Sequence, residues 1–222
     1  MEEGSEENQK TLRCKVVVVG NAACGKSALV RMLESGGSHF PQAYDLTPGV
    51  SLHFATKAFS PDSETASKAC PAVTSDTLTP ASHRNNLPFD HTLQVELFVH
   101  DCGGHELFRE TTRRGWPSAH AVVVAVDLTE PDALDTCDSW LSEVNSAADR
   151  NLPAVLVGTK LDDNERRAID SADMEAAAER MRCPYFECSA LPPGKGIHEP
   201  FQRIAQEFGT AYERHLQAHS LG

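Results

Sequence analysis

The sequence predicts an α/β domain with a six-stranded, mostly parallel sheet and helices on both faces. Three observations predict it. Strand-like runs alternate with helical periodicities along most of the 222 residues. Two continuous apolar runs, Ala121–Val126 and Ala154–Val157, suit strands buried on both faces, as in a parallel sheet. A glycine-rich turn, Gly20–Ser27, joins the first strand to the first helix.

Taken in order, the acidic stretch 1–12 is expected to be a disordered tail, followed by a domain over 13–217 and a short tail, 218–222. Val16–Val19 is the first strand, and Ala28–Leu33 begins a helix. A loop from Glu34 to Thr47 follows. Val50–Phe54 alternates apolar and polar residues, as a half-buried strand does. Ser60–Thr92 is rich in Ser, Thr, Pro, Ala and Asp and has no apolar period. It is expected to be a mostly disordered insertion between the second and third strands. Leu93–Val99 alternates again. Ala121–Asp127 is the fourth strand. Leu134, Cys137, Trp140, Leu141 and Val144 then recur at helical spacing, with Trp140 as a core residue. Ala154–Gly158 is the fifth strand, and Asp170 or Ser171 caps a helix reaching Arg182. Tyr185–Ser189 is the sixth strand. Ile197, Phe201, Ile204, Phe208 and Tyr212 mark an amphipathic C-terminal helix.

Composition excludes several classes. A formal net charge of -12 argues against a nucleic-acid surface, which needs clustered Lys and Arg. No apolar run approaches the roughly 18 residues of a membrane helix. The acidic N-terminus is the opposite of a secretory signal or a mitochondrial presequence. Seven cysteines without a Cys-x-x-Cys pair suit a reducing cytosol. The ten histidines show no metal-ligand spacing.

Gly20-Asn21-Ala22-Ala23-Cys24-Gly25-Lys26-Ser27 fits Gly-x-x-x-x-Gly-Lys-Ser/Thr in full, and its strand-before, helix-after setting is what a phosphate-binding loop requires. Chance matches in such a chain number about one in a hundred, which disfavours coincidence. Backbone N–H groups converge on phosphate oxygens, with the helix N-terminus adding positive partial charge. Lys26 reaches the outer phosphates, and the Ser27 hydroxyl can ligate Mg²⁺. The remaining motifs lie at strand ends, where ligands of such sheets bind. Asp101-Cys102-Gly103-Gly104 offers a carboxylate for Mg²⁺ and, at Gly104, close approach of an N–H to a terminal phosphate. Thr159-Lys160-Leu161-Asp162 offers Asp162 to guanine N1 and N2, with Lys160 along the base plane. Ser189-Ala190 offers the Ala190 N–H to guanine O6. Each motif alone marks a plain turn; four in this order point to a guanine nucleotide.

From about Arg13 to Gln217 the chain resembles the Ras-superfamily small GTPases, on the phosphate loop, Asp101–Gly104, Thr159–Asp162 and Ser189–Ala190. Arg114–Thr129 looks like the Rab pattern, whereas Thr159–Asp162 and Glu187–Leu191 look more Rho-like. The resemblance implies the small-GTPase form of the P-loop NTPase fold, GTP/GDP and Mg²⁺ as ligands, and conversion of GTP to GDP and phosphate. It implies Thr47 as the first-switch Mg²⁺ ligand beside Ser27 and Asp101, and Phe40 as an aromatic near the guanine. Gly20, Ala22, Ala23, Cys24, Gly25, Lys26, Ser27, Gly104, Thr159, Lys160, Asp162, Ser189 and Ala190 complete the expected nucleotide contacts. Lys26, Gly104 and His105 are the expected catalytic positions.

A finer resemblance is to the Rab-like GTPase subunits of the intraflagellar transport B complex. It is carried by His39-Phe40, Tyr44–Thr47, Gly49, Val95–Phe98, Glu106-Leu107-Phe108, Arg166–Ser171 and Pro200-Phe201 with Ala205, Phe208 and Tyr212. That likeness implies pairing with a small β-sandwich subunit, membership of a larger transport train, and a cytoplasmic protein at cilium, flagellum and basal body.

Several positions depart from the family pattern. His105 stands where the family has the Gln that orients the attacking water. Gly103 replaces a common Ala, which is expected to loosen the second switch. Ala22 replaces a common Gly near where an arginine finger would enter, and His100 replaces a common Trp. Slow hydrolysis is the expectation. The C-terminal Gln217–Gly222 has no cysteine, so no direct lipid anchor is expected. Three readings fit: a transport subunit with weak hydrolysis, a general cytosolic Rab- or Rho-like switch, and a structural pseudo-GTPase.

Overall fold

A computed structural model describes residues 10–59 and 93–220. The elements follow as β1 (Thr11–Val19), α1 (Lys26–Glu34), β2 (Val50–Phe59), β3 (Leu93–Cys102), α2 (Arg109–Arg113), β4 (Ala121–Asp127), α3 (Cys137–Ala148), β5 (Ala154–Thr159), α4 (Ser171–Met181), β6 (Tyr185–Glu187) and α5 (Glu199–Ser220). Short 3-10 turns at Glu106–Phe108 and Ala133–Thr136 lead into α2 and α3. The expected insertion, 60–92, and most of the expected tail, 1–12, lie outside the described residues.

The strands form one sheet in the order β2-β3-β1-β4-β5-β6. β1 pairs in parallel with β3 and β4, β4 with β5, and β5 with β6. β2 and β3 pair antiparallel, from Val50 opposite Cys102 to Phe59 opposite Leu93. The sheet is thus the six-stranded, mostly parallel one expected. Alternation within β1 sorts its side chains to two cores. Cys14, Val16 and Val18 pack with α1 and α5 around Leu29, Met32, Phe201 and Ile204. Val17 and Val19 pack on the other face with α3 and α4, around Trp140, Val144, Met174 and Ala178. Every residue of β4 and β5 is buried, as a strand covered on both faces demands.

Several boundaries differ from the sequence reading. β1 starts at Thr11, so the border expected at residue 13 falls inside a strand paired with Gln94–Glu96. β2 runs on to Phe59, because backbone pairing with β3 continues where the apolar alternation of its side chains has stopped. β6 ends at Glu187, and Ser189 makes only an isolated bridge to Lys195. α5 starts at Glu199 and continues through Ser220, past the border expected at 217. Of the two candidate caps for α4, Asp170 serves: its carboxylate accepts the Asp173 N–H at 2.9 Å.

The described cysteines are free. Burial pushes the thiols of Cys14, Cys137 and Cys188 up to about 12 and that of Cys102 to about 11, so they stay protonated and inert. Among the described residues no helix is long and apolar enough to cross a membrane.

Candidate nucleotide-binding site

The topology delivers every strand-end motif to one edge of the sheet. β1 ends at Val19, and the chain then turns through Gly20, whose φ of 143° suits glycine and whose missing Cβ would lie 2.3 Å from the Ala125 carbonyl oxygen. Ala23 and Gly25 are also left-handed, with φ of 60° and 89°, which folds the loop over the start of α1. The Lys26 side chain is buried at 5% exposure, with its ammonium on the Gly20 and Asn21 carbonyls at 2.9 and 2.6 Å. Backbone carbonyl dipoles hold its ammonium inside the loop.

Three oxygen-bearing side chains converge at the start of α1. The Ser27 hydroxyl donates to Asp101 Oδ2 at 2.6 Å and lies 3.0 Å from the Thr47 hydroxyl. Thr47 Oγ1 is 3.5 Å from the same Oδ2. Asp101 is 1% exposed, and its Oδ1 is buried without a hydrogen-bond partner. Burial pushes its carboxyl above the usual range, against the pull of the Ser27 hydrogen bond and the Lys26 charge. Two hydroxyls and one carboxylate, whose Oδ1 is orphaned, fit a hard cation such as Mg²⁺, which takes few protein ligands and completes its shell with phosphate and water. Among the described residues no group of three or more His, Cys, Asp or Glu side chains could hold a metal ion.

The cleft over this cluster is walled by Ala22, Ala23 and Gly25–Ala28 on one side and by Pro41, Ala43 and Tyr44–Thr47 on the other, with Gly104 at its end. Gly104 must lack a side chain, because a Cβ would sit 2.4 Å from the Gly20 carbonyl oxygen. Gly103 behaves differently from the loosening expected of it. Its N–H donates to the Gly49 carbonyl at 2.7 Å, and a Cβ there would meet the Thr47 carbonyl oxygen at 2.4 Å. The absent methyl lets the Thr47–Gly49 segment close against β3.

At the far end, Lys160 and Asp162 follow β5, and Ser189 and Ala190 follow β6. The Ser189 hydroxyl donates to Asp162 Oδ1, and the Leu161 N–H donates to the Cys188 carbonyl at 3.1 Å, which binds the two loops together. Lys160, at φ 59°, pairs with Asp127 at 2.5 Å. Asp127, 4% exposed, also accepts from the Thr129 N–H and hydroxyl. The sequence reading passed over Asp127, although it ends a buried strand at the same sheet edge as the motifs.

Two expected contacts sit elsewhere. Thr159 is 4% exposed, and its hydroxyl turns inward, 2.6 Å from the Cys24 carbonyl and 3.0 Å from that of Val126. It ties the base-side loop to the phosphate loop. Phe40 is part-buried against the α1/α5 core and is absent from the wall of the cleft. His105 is exposed, and its Nδ1 accepts the Leu107 N–H at 3.2 Å, capping the 3-10 turn.

The model of the Ras family matches residues 67–210, more than half of the chain. The chain is 33% identical over 212 residues to intraflagellar transport protein 27 of Chlamydomonas reinhardtii, covering 94% of this chain and 90% of that protein. It is 31% identical over 207 residues to the human intraflagellar transport protein 27 homolog, with 93% and 95% covered. The GTP-binding protein ypt5 of Schizosaccharomyces pombe is 28% identical over 202 residues, with 90% and 80% covered. With the phosphate loop, the hydroxyl–carboxylate cluster and the base-side loops at one sheet edge, these likenesses make the chain a Rab-like member of the Ras family of GTPases.

Proposed function

We propose that the chain binds GTP and GDP with Mg²⁺, hydrolyses GTP slowly, and works as a Rab-like subunit of the intraflagellar transport machinery. The observation that carries the nucleotide reading is the convergence of Ser27, Thr47 and Asp101 beside the Lys26 ammonium. Mg²⁺ held there would supply charge neutralisation for the outer phosphates. Ser27 and Thr47 present hydroxyl oxygens to it, and Asp101 presents its carboxylate. Lys26 lends its charge to the outer phosphate oxygens, and Gly104 lets its N–H approach them. Asp162 and the Ala190 N–H read the guanine edge, with Lys160 held against the base plane by Asp127.

Slow turnover follows from what His105 is doing. A water-orienting residue needs a free donor and acceptor aimed at the attack position. The His105 Nδ1 is taken by the Leu107 N–H, and the residue lies outside the wall of the cleft. Ala22 adds a methyl at the mouth where an arginine supplied in trans would enter. Intrinsic rates in this class are already as low as about 10⁻⁴ s⁻¹.

The transport role is supported by likeness to intraflagellar transport protein 27 over nine tenths of both chains. On this reading the protein works at cilium or flagellum, with a small β-sandwich subunit and a larger train complex as partners. Affinity purification of the tagged full chain from flagellated cells tests this. Recovery of other transport-train subunits is expected; recovery of Rab effectors without them would favour a general traffic switch instead.

A further inference from the structure

Asn21 of the phosphate loop is held from behind by α3. Its side-chain oxygen accepts the Trp140 indole N–H at 3.0 Å and the Thr136 hydroxyl at 3.1 Å. Its backbone oxygen receives the Lys26 ammonium at 2.6 Å. The same indole ring carries the Arg109 guanidinium of α2, whose central carbon lies 4.1 Å from the ring centre. Arg109 is clamped to α3 by two hydrogen bonds to Glu143, at 3.0 and 2.5 Å. Trp140 is 3% exposed, so its ring has little room to turn. Nucleotide binding as described above uses neither Trp140, nor Arg109, nor the Asn21 side chain.

We propose that Trp140 is a positioning residue that couples α2 to the phosphate loop, so that docking of α2 and retention of nucleotide stabilise each other. The inference rests on the guanine-nucleotide reading and deepens it. The stacked guanidinium sets the plane of the indole. That plane aims the N–H at Asn21. Asn21 in turn positions the acceptor of Lys26 and packs against Gly104, where a Cβ would come within 2.6 Å of it. The contacts run unbroken from α2 to the ammonium that meets the phosphates. Coupling of this kind is reciprocal: whatever undocks Arg109 loosens nucleotide, and loss of nucleotide loosens Arg109.

The test is a double-mutant cycle on release of a fluorescent GDP analogue from the full chain with Mg²⁺. Asn21→Ala and Arg109→Ala should each speed release by about fivefold, the factor that one typical net hydrogen bond is worth. The double variant should be no faster than the faster single. In a Trp140→Phe background, which keeps a ring for Arg109 and removes the N–H, Arg109→Ala should add nothing. A spectroscopic arm uses Trp116→Phe, which leaves Trp140 as the sole tryptophan. Its emission should differ between GDP and a non-hydrolysable GTP analogue, and Arg109→Ala should abolish that difference. Arg109→Lys keeps the charge without the planar stack and serves if the alanine variant does not fold. Multiplicative effects in the double variant, or an emission difference that survives the loss of Arg109, would overturn the coupling alone. Failure of the wild type to bind the analogue would overturn the nucleotide reading and the coupling with it.

Discussion

The Gly103 N–H donates to the Gly49 carbonyl at 2.7 Å, which lays the first-switch backbone against the end of β3. A Cβ at Gly103 would lie 2.4 Å from the Thr47 carbonyl oxygen. Gly103→Ala therefore pushes Thr47 away from Ser27 and Asp101. Overpacking of this kind costs about 1–3 kcal/mol. The variant should bind GTP about tenfold or more weakly relative to GDP, as read by displacement of a fluorescent nucleotide. An unchanged GTP-to-GDP preference would mean that the Thr47 segment is free of this contact when nucleotide is bound.

Ser27 donates to Asp101 and neighbours Thr47, so a longer side chain disturbs all three oxygens at once. Ser27→Asn should lower GTP affinity and make nucleotide release insensitive to EDTA, whereas EDTA should speed release from the wild type. Equal EDTA acceleration in both proteins would remove Ser27 from the Mg²⁺ shell.

His105 can cap its own turn or orient water, but its Nδ1 cannot do both. His105→Gln should raise the single-turnover hydrolysis rate by about tenfold, a barrier change of about 1.4 kcal/mol. Equal rates in variant and wild type would show that the limiting defect lies elsewhere, with Ala22 the next position to change.

Glu34 closes the end of α1 onto β2 through His53 Nδ1 at 2.7 Å and the Phe54 N–H at 3.3 Å. The His53 hydrogen bond holds the Glu34 carboxyl below its ordinary range. A depressed carboxylate contributes stability above its unfolded pKa and loses it as pH falls through the folded one. The link should therefore weaken below about pH 4. Glu34→Gln should flatten the acid limb of the melting temperature against pH in that window and lower stability at neutral pH. Parallel acid limbs in the two proteins would count against the link.

Much of the site was legible because its chemistry is local. Gly20–Ser27 needs particular residues at particular spacings, and β4 and β5 are apolar throughout. The rest depends on partners distant in sequence. Trp140 reads as a core residue from its spacing, and so it is, but its N–H meets Asn21, 119 positions away. Thr159 sits in a base-reading motif, yet its hydroxyl is taken by Cys24, 135 positions away. α2 has five residues, too few for a helical period to show. Gly103 looked like a loss of stiffness because its neighbour Thr47 is brought close only by the fold.

The central claim is that the chain holds guanine nucleotide tightly and turns it over slowly. The most direct measurement is chromatography of the nucleotide released from purified, Mg²⁺-saturated full chain, followed by single-turnover hydrolysis of loaded GTP. The account predicts guanine nucleotide near one per chain and a rate at or below about 10⁻⁴ s⁻¹ without a partner. Adenine nucleotide, no nucleotide, or turnover on the scale of seconds would contradict it.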